Sequence, residues 1–394
     1  METRKLELDD FAAPSPLSLE AFGPLPTGTP QPPAPSALPP GRHVWGTFDG
    51  ARLVARVAAH EFSSWFGGRE VTTCGVAGVA VSAEHRGQGL LHHLFTLMLQ
   101  EATERGEAIS TLYPTASGIY RPFGYEVIAA YDCVEIPTAE LSRIRPAVGV
   151  RTRRATPDDV PAIKATYAAW AGKQNGPLTR SGPRFGQTDE ELLADCTAVS
   201  LAVDADDQVV GYASWDRHEG YGKHSTIEVW DLIGLTADAY RALWAMAGSF
   251  ASVTGTVRLR TSGADLARLL LPSITWSPME QHHHPYMLRV NDVPAAFTGR
   301  TSLPGGGAVD FSVAGDRLGI IDGAYRLDVE SGVCEQSSEA SGPTFTTQGL
   351  ALAYAGAQSC ANLRMLGHLT GPTTHDAVLD VALGGRQVHI RDYF

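Results

Sequence analysis

The stretch Val76-Ala77-Gly78-Val79-Ala80-Val81-Ser82-Ala83-Glu84-His85-Arg86-Gly87-Gln88-Gly89-Leu90-Leu91 decides the fold of this chain. A small, apolar, β-prone run leads into an Arg-Gly-Gln-Gly turn, and a segment with apolar residues on one helical face follows. The apolar residues are Leu91, Leu94, Phe95, Met98 and Ala102, and Gly106 ends the segment. A strand, a glycine-rich turn and a helix N-terminus in succession collect unpaired N–H groups and the positive end of a helix dipole. The stretch therefore predicts an α/β unit whose turn is suited to a phosphate anion.

The turn differs from two common phosphate-binding loops. It lacks the Gly-Lys-Ser/Thr ending of a Walker loop, and Gly87 and Gly89 alone do not make G-x-G-x-x-G. What it spells is Arg86-x-x-Gly89-x-Leu91, which resembles the R/Q-x-x-G-x-G/A pyrophosphate loop of the GNAT N-acetyltransferases, enzymes that bind acetyl-CoA. Leu91 stands where a small residue is usual. On this stretch alone, a helix capped by a glycine turn with no ligand is an equal alternative.

Bulk composition bounds the class of protein. A length of 394 residues predicts two or three domains, and 43% hydrophobic with 8% aromatic residues is typical of a globular protein. The net charge of −12 argues against binding to nucleic acid or to an anionic membrane.

The cysteines and the N-terminus point to a cytoplasmic protein. Five scattered cysteines, none in a Cys-x-x-Cys pair, indicate free thiols in a reducing compartment. The N-terminus has no apolar core for a signal peptide, and no run reaches the roughly 20 apolar residues of a membrane span.

Along the chain the pattern divides into three units. The first has a short helix at Pro16–Phe22, a proline-rich extended loop at 24–40, a hairpin (His43–Phe48, Arg52–Ser63) and strands at Glu70–Val81, Ala108–Tyr113 and Glu126–Glu135. The second, after a boundary near 137–150, repeats this order with a helix to about Trp170, a hairpin (Ser200–Val203, Val209–Asp216), a strand at Thr226–Leu232 and a helix from Asp238 to Ser252. The third has short strands at Val309–Val313, Leu318–Asp322 and Ala324–Val329, a helix at Thr347–Ala355 and a strand-like aromatic C-terminus.

Acetyl transfer to an amine needs a held and polarised thioester, a base for the ammonium and an acid for the thiolate. The backbone of Val79, Ala80 and Val81 is suited to pair with the pantetheine arm, and the Val79 N–H to polarise the carbonyl. The N–H groups and side chains of Arg86, Gly87, Gln88, Gly89 and Leu90 are the candidates for the pyrophosphate, and Thr115 is counted with the cofactor-binding residues. Arg86 as an ordinary surface arginine is the alternative.

Tyr120 is the candidate acid. It lies in Ile119-Tyr120-Arg121-Pro122-Phe123-Gly124-Tyr125, a short helical turn ended by Gly124. A phenol pKa of about 10 is close enough to a thiol pKa of about 8.5 for the proton to be shared as the thioester collapses. A packing role for Tyr120 is the alternative.

The motifs together resemble the Eis (enhanced intracellular survival) family. They are Ile119-Tyr120-x-x-Phe123-Gly124-Tyr125, Val79-x-Val81, His85-Arg86-x-x-Gly89-Leu90-Leu91, Asn291-x-Val293-Pro294-Ala295-Ala296 and the terminal Phe394. The resemblance implies an α/β (α+β) chain of tandem GNAT folds: a GNAT domain at 1–148, a GNAT-like domain without the cofactor loop at 149–287, and a sterol-carrier-protein-like domain at 288–394. It also implies a homohexamer, acetyl-CoA as donor, and N-acetylation of polyamine substrates such as aminoglycosides or lysine side chains.

In that family the general base is the carboxylate of the last residue, here Phe394. Burial under Tyr393 and Phe394 would raise its pKa from about 3.5 and strengthen it as a base. Tyr393 stands where some members carry an acid, and the proline-rich segment is unlike a helical substrate flap, so the substrate range is expected to differ.

Two other interpretations are weighed. His282-His283-His284 invites a metal site, but adjacent histidines rarely converge on one ion, and we predict no metal. A non-catalytic carrier or scaffold, with a vestigial CoA site and a lipid-binding C-terminal domain, is the alternative function.

Overall fold

The computed structural model describes residues 1–11, 15–24, 29, 35–145, 147–263, 265–271, 276–300, 305–339 and 341–394. The predicted proline-rich loop at 24–40 lies partly outside these residues, at 25–28 and 30–34. Within the described residues, no helix is long and apolar enough to cross a membrane.

The first unit is a mixed sheet with helices packed against it. Its strands are β1 (Glu2–Lys5), β2 (Arg42–Asp49), β3 (Arg52–Phe66), β4 (Arg69–Val81), β5 (Ile109–Leu112) and β6 (Glu126–Pro137). Its helices are α1 (Pro16–Phe22), α2 (Leu90–Glu104), α3 (Ser117–Tyr120) and α4 (Thr138–Leu141). The predicted helix at Pro16–Phe22, the β2–β3 hairpin and the strand–turn–helix of β4 and α2 are all confirmed.

Helix α2 packs against the sheet through the apolar face that the spacing of its residues predicts. Leu94, Phe95, Met98, Leu99 and Ala102 are fully buried and pack on the same core as residues of β3 and β4. These positions recur every three to four residues, so they fall on one side of the helix. Gly106 follows with a φ of 80°, a left-handed conformation that favours glycine and ends the helix.

The second unit repeats the parallel strand–helix–strand arrangement of the first. Its strands are β7 (Arg151–Arg154), β8 (Ala198–Val203), β9 (Val209–Arg217), β10 (Gly222–Gly234), β11 (Thr254–Thr261), β12 (Ser277–Pro278) and β13 (His284–Val290). Its helices are α5 (Val160–Ala171), α6 (Asp189–Ala194), α7 (Ala237–Gly248) and α8 (Ala267–Leu270). Strands β10 and β11 are parallel and joined through α7, as β4 and β5 are joined through α2.

Strand β13 leaves the second unit and completes the sheet of the first. It lies between β5 and β6, antiparallel to both, with Met287 opposite Leu112 on one side and Val127 on the other. In the described residues the two units therefore share one 13-stranded sheet, in which the order is β1-β2-β3-β4-β5-β13-β6-β11-β10-β9-β8-β7 and β12 pairs with β6. The predicted boundary between residues 287 and 288 falls inside this strand.

The third unit is a smaller sheet with helices. Its strands are β14 (Ala308–Ala314), β15 (Gly323–Asp328), β16 (Val333–Ser337), β17 (Thr344–Thr346) and β18 (Leu369–Thr370), in the order β16-β15-β14-β17-β18. Its helices are α9 (Val293–Phe297), α10 (Thr347–Ala355), α11 (Cys360–Met365) and α12 (Asp376–Leu383). The predicted helix at Thr347–Ala355 is confirmed.

The predicted strand at Leu318–Asp322 is wrong. Asp316 is held by Arg289 at 2.8 Å, and both side chains are fully buried. The Asp316 carboxylate accepts hydrogen bonds from the backbone N–H groups of Leu318, Ile320 and Ile321 at 2.9–3.3 Å. Because these donors converge on one carboxylate, the backbone turns around it instead of pairing in a sheet.

The C-terminal segment is extended but forms no strand. Val388 makes one isolated parallel bridge to Asn175, and the remaining residues to Phe394 have no regular structure. At this bridge the Asn175 N–H donates to the Gln387 carbonyl and the His389 N–H donates to the Asn175 carbonyl. In the described residues the strand-like pairing that the sequence predicts for this segment is thus limited to the residues around Val388.

Candidate active site

The two central parallel strands of the first unit diverge and leave a gap. Strand β4 pairs with β5 only from Thr73 to Val76, whose partners are Ile109 to Leu112. Strand β5 ends there, whereas β4 continues to Val81 paired with β3 alone. The β5-facing edge of Ala77–Val81 is therefore open to an extended ligand that pairs with it as a strand would.

A β-bulge sets the orientation of this open edge. Ala77 lies opposite Ala58, but Ala80 lies opposite Arg56, so Gly78 and Val79 together face the single residue Val57. Gly78 has a φ of 58°, and its carbonyl accepts a hydrogen bond from Arg56 Nε at 3.2 Å. The bulge turns Val79 and Val81 towards the α2 side of the sheet, where both are partly buried against the core. Ala80 lies between them and is buried.

The turn after β4 has the geometry of an anion cradle. Gly87 and Gly89 both have a φ of 77°, and among the described residues no atom lies within 4 Å of where a Cβ would stand on either. Gly89 is the N-cap of α2, and no side chain caps this 15-residue helix. An uncapped helix N-terminus next to an open glycine turn fits the pyrophosphate of a CoA thioester.

The other candidate side chains of the turn lie on its exposed surface. Arg86 and Gln88 are exposed and Leu90 is half-buried. Arg86 Nε donates to the Val81 carbonyl at 3.4 Å, and Gln88 Nε2 donates to the Glu84 carbonyl at 3.1 Å. No carboxylate lies within ion-pair distance of Arg86 in the described part of the chain, so its charge is available to an anion.

The second unit lacks this cradle. The sequence between β10 and α7 is Leu235-Thr236, and Thr236 caps α7 by accepting a hydrogen bond from the Ala239 N–H at 3.1 Å. A side chain therefore caps the N-terminus of α7, whereas no side chain caps that of α2.

Tyr120 lies at the end of α3, against the α2 side of the gap. It is buried, and its ring packs edge-on against Phe95 at 5.9 Å between centroids. Burial raises the pKa of its hydroxyl, and the side chain of Thr115, which is itself exposed, partly offsets this. The phenol therefore keeps its proton at neutral pH and is available as a donor.

Phe394 lies at the point where β4 and β5 diverge. Its ring is 4.9 Å from that of Phe62 on β3 and 5.5 Å from that of Tyr113. A Cβ on Gly75 would stand 3.0 Å from the Phe394 ring and 2.5 Å from the Phe62 ring. Glycine at this β4 position therefore makes room for the terminal residue.

Tyr120 and Phe394 approach the gap from opposite faces of the sheet. Cys74 and Val76 belong to the same core as Tyr120, whereas Gly75 between them faces Phe62 and Phe394. Successive side chains of a strand alternate between faces, so the Gly75 face is the one turned away from α2. A thioester at the gap would have the phenol on one side and the chain terminus on the other.

The terminus is fixed by residues that sequence reasoning missed. Tyr113 Oη donates to the Asp392 carbonyl at 2.5 Å, and Arg180 Nε donates to the Asp392 carboxylate at 2.8 Å. Arg180 also pairs with buried Asp231. These partners come from separate parts of the chain, so no short stretch of sequence indicates that they meet.

The histidine run 282–284 forms no metal cluster. His283 Nδ1 lies 2.7 Å from Asp132, and the His284 ring packs 5.0 Å from that of Tyr393. In the ranges that the structure describes, no group of three His, Cys, Asp or Glu side chains is arranged to hold a metal ion.

Comparison with known families matches three domains in this chain. Two models described as acetyltransferase (GNAT) domain match residues 2–128 and 176–290, and one described as sterol carrier protein domain matches 293–391. An uncharacterized N-acetyltransferase of Streptomyces avermitilis is 29% identical over 363 residues, covering 85% of this chain and 83% of the relative. The crystal structure of a GCN5-related N-acetyltransferase from Kribbella flavida superposes with a TM-score of 0.79 at 29% identity, covering 100% of this chain and 98% of that one.

The fold and the open edge of β4 thus define a GNAT N-acetyltransferase, whose acetyl donor is acetyl-CoA. The N-acetyltransferase Eis of Mycobacterium tuberculosis is 27% identical over 239 residues, covering 58% of this chain and 57% of that protein. Two GNAT domains followed by a sterol carrier protein domain, together with this similarity, confirm the predicted resemblance to the Eis family. The predicted fold class is also confirmed.

Proposed function

We propose that the first unit transfers an acetyl group to a primary amine, with Tyr120 as general acid and the Phe394 carboxylate as general base. The observation that supports this most is the seat of Phe394 against Gly75, where β4 and β5 diverge, with Tyr120 on the opposite face. In this proposal the backbone of Val79–Val81 pairs with the pantetheine arm, and the Val79 N–H polarises the thioester carbonyl.

The remaining cofactor contacts follow from the turn and its neighbour. Arg86, Gly87, Gln88, Gly89 and Leu90 bind the pyrophosphate through their N–H groups and the Arg86 charge. Thr115 lies beside the Tyr120 hydroxyl and orients it towards the thioester.

Each proton has a stated place in this reaction. Acetyl-CoA supplies a thioester whose carbonyl carbon forms the new C–N bond while its C–S bond breaks. The Phe394 carboxylate takes one proton from the ammonium, and the neutral amine that results attacks the carbonyl carbon. The nitrogen loses its second proton to solvent as the amide forms, and the Tyr120 hydroxyl donates its proton to the sulfur that departs. The products are an amide and free CoA, and solvent returns both residues to their starting protonation states.

The acceptors to test first are those that the family resemblance offers, an aminoglycoside and free lysine. A homohexameric assembly and a cytoplasmic location are likewise proposals that rest on the resemblance and the composition.

Thiol release from acetyl-CoA in the presence of each amine tests the proposal. For Tyr120→Phe we expect a kcat lower by about 10²- to 10³-fold, the usual contribution of a general acid. Tyr125→Phe is the matched control, because this buried tyrosine bonds to Ser110 Oγ at 2.5 Å in the same core. Its kcat should stay close to that of the wild type. Wild-type kcat in Tyr120→Phe would remove Tyr120 from the mechanism.

A further inference from the structure

The face of β3 that carries Phe62 is basic. Arg56 and His60 lie on this face, because residues at even spacing along a strand share a side of the sheet. Arg42 on β2 is the direct cross-strand partner of His60. The His60 ring lies 5.8 Å from that of Phe62, which in turn contacts Phe394. The basic residues therefore continue along the sheet from the proposed base.

A loop of the second unit adds a third arginine to this face. Pro183 of this loop packs closely on Gly41: a Cβ on Gly41 would lie 2.6 Å from the proline ring. Phe185 follows, with its ring 5.9 Å from that of Phe62. Arg184, between them, is exposed, and its charge lowers the pKa of Arg42 in addition to the larger effect of burial. We call Arg42, Arg56, His60 and Arg184 the basic cluster.

The basic cluster has no acidic partner. In the described part of the chain no carboxylate lies within 4.0 Å of any of its three arginines, and every residue outside that part is neutral or apolar in sequence. Arg56 Nε bonds to the Gly78 carbonyl, whereas Arg42 Nε is buried with no hydrogen-bond partner. His60 is only 9% exposed, and its buried Nδ1 also lacks a partner.

The nearest acid along β3 does not neutralise this charge. Glu61 alternates to the opposite face, where it pairs with His43 at 2.6 Å. Burial, together with Arg184, Arg42 and His43, lowers the pKa of His60 to about 4, so this histidine is neutral at pH 7 and the arginines carry the positive charge. Unpaired, partly buried guanidinium groups are costly unless an anion binds them.

We infer that the amine acceptor of this enzyme also carries an oxyanion, a carboxylate or a phosphate, which Arg42, Arg56 and Arg184 bind while the amine lies at Phe394. This inference rests on the proposed function and narrows its substrate class. A polyamine would bring further positive charge against the cluster, whereas an oxyanion satisfies the open guanidinium donors in pairs. Two residues along a strand span about 7 Å, so His60 lies about 7 Å beyond Phe62. An acceptor that reaches from Phe394 to the basic cluster therefore has about four to six atoms between its amine and its oxyanion.

Three acceptors of equal chain length isolate the effect of the charge at the end opposite the reacting amine. They are 6-aminohexanoate, hexylamine and 1,6-diaminohexane, and 3-aminopropyl phosphate serves as the phosphate arm. For the full-length wild type we expect kcat/KM for 6-aminohexanoate or the aminoalkyl phosphate to exceed that for hexylamine at least tenfold, with the diamine poorest. Of 6-aminohexanoate and 3-aminopropyl phosphate, the one with the higher kcat/KM shows whether the oxyanion is a carboxylate or a phosphate.

Arg184→Gln tests the cluster at an exposed position. We expect kcat/KM for the anionic amine to fall about tenfold, mainly through KM, with hexylamine unchanged. Arg184→Glu should shift the preference towards the diamine. Arg326→Gln, an exposed arginine of the third unit paired with Asp310, is the matched control and should leave all four acceptors unaffected.

Equal use of the acceptors, or preference for the diamine, would overturn the inference and leave the proposed function intact. If no amine is acetylated, the proposed function fails instead. Calorimetric titration of the same amines into the enzyme saturated with CoA then decides the inference. Tighter binding of 6-aminohexanoate that is lost in Arg184→Gln supports it, and equal binding of all amines overturns it.

Discussion

Buried charged side chains hold the C-terminal segment in its position. Arg180 holds both Asp231 and Asp392, and Tyr212 Oη donates to Asp231 at 2.8 Å. Burial by itself would raise the pKa of Asp231, but Arg180, Arg391 and Tyr212 lower it to about 2. The carboxylate therefore stays ionised in the folded protein at pH values at which it would be protonated in the unfolded chain.

At the residue scale we expect Asp231 to contribute to stability in a pH-dependent way. Its pKa is lower in the folded than in the unfolded state, so its contribution is present above about pH 4 and is lost as the pH falls towards 2. The shift corresponds to about 2 kcal/mol. The difference in the midpoint of urea unfolding between the wild type and Asp231→Asn should therefore become smaller from pH 6 to pH 2.5. Asp207→Asn, at an exposed ion pair, should show no such gap, and a constant gap for Asp231→Asn would contradict the assignment.

At the scale of elements, the junction of β4 and α2 combines an open strand edge with an uncapped helix. Gly89 and Gly106 flank the same helix, both with φ near 80° and both with open space where a Cβ would stand. They differ in one respect: Gly89 lies at the positive end of the helix dipole, beside the proposed pyrophosphate site.

Substituting alanine for Gly89 and for Gly106 separates an effect on acetyl-CoA binding from the effect of backbone strain. Gly89→Ala and Gly106→Ala should each destabilise the protein by about 1 kcal/mol, because alanine is strained at positive φ. Only Gly89→Ala should also raise the KM for acetyl-CoA, by tenfold or more, as its methyl group enters the cradle. Steady-state kinetics and thermal unfolding of both variants measure this. An equal KM in the two variants would place the pyrophosphate elsewhere.

At the scale of the whole molecule, the three units meet at one site. The first supplies the open edge of β4 and Tyr120, the second supplies Arg180 and the loop with Phe185, and the segment after the third supplies Phe394. The proposed catalytic site is thus complete only when all three units are folded together.

Asp392→Asn tests this long-range dependence. The substitution removes the ion pair with Arg180 and loosens the position of Phe394, so we expect kcat to fall about tenfold with the KM for acetyl-CoA unchanged. Such a loss corresponds to about 1.4 kcal/mol of transition-state stabilisation. Asp310→Asn removes a surface ion pair in the third unit and is the control. An unchanged kcat in Asp392→Asn would show that the terminus needs no such anchor.

The sequence was informative where the signal is local. The apolar spacing of α2, the glycines of the turn and the Tyr120 motif lie within short windows, and their elements were predicted within a few residues. Leu318–Asp322 was not, because a distant partner, Arg289, holds the carboxylate that turns it. The insertion of β13 between β5 and β6 and the approach of Arg184 to Arg42 are likewise long-range, and no local pattern encodes them.

The most direct test of the central claim is the kcat of a chain extended by one glycine after Phe394. The extension keeps every side chain but moves the terminal carboxylate by about 3.5 Å, one residue of extended backbone. If that carboxylate is the general base, kcat should fall at least 100-fold while the KM for acetyl-CoA stays that of the wild type. Wild-type kcat in the extended chain would contradict the account.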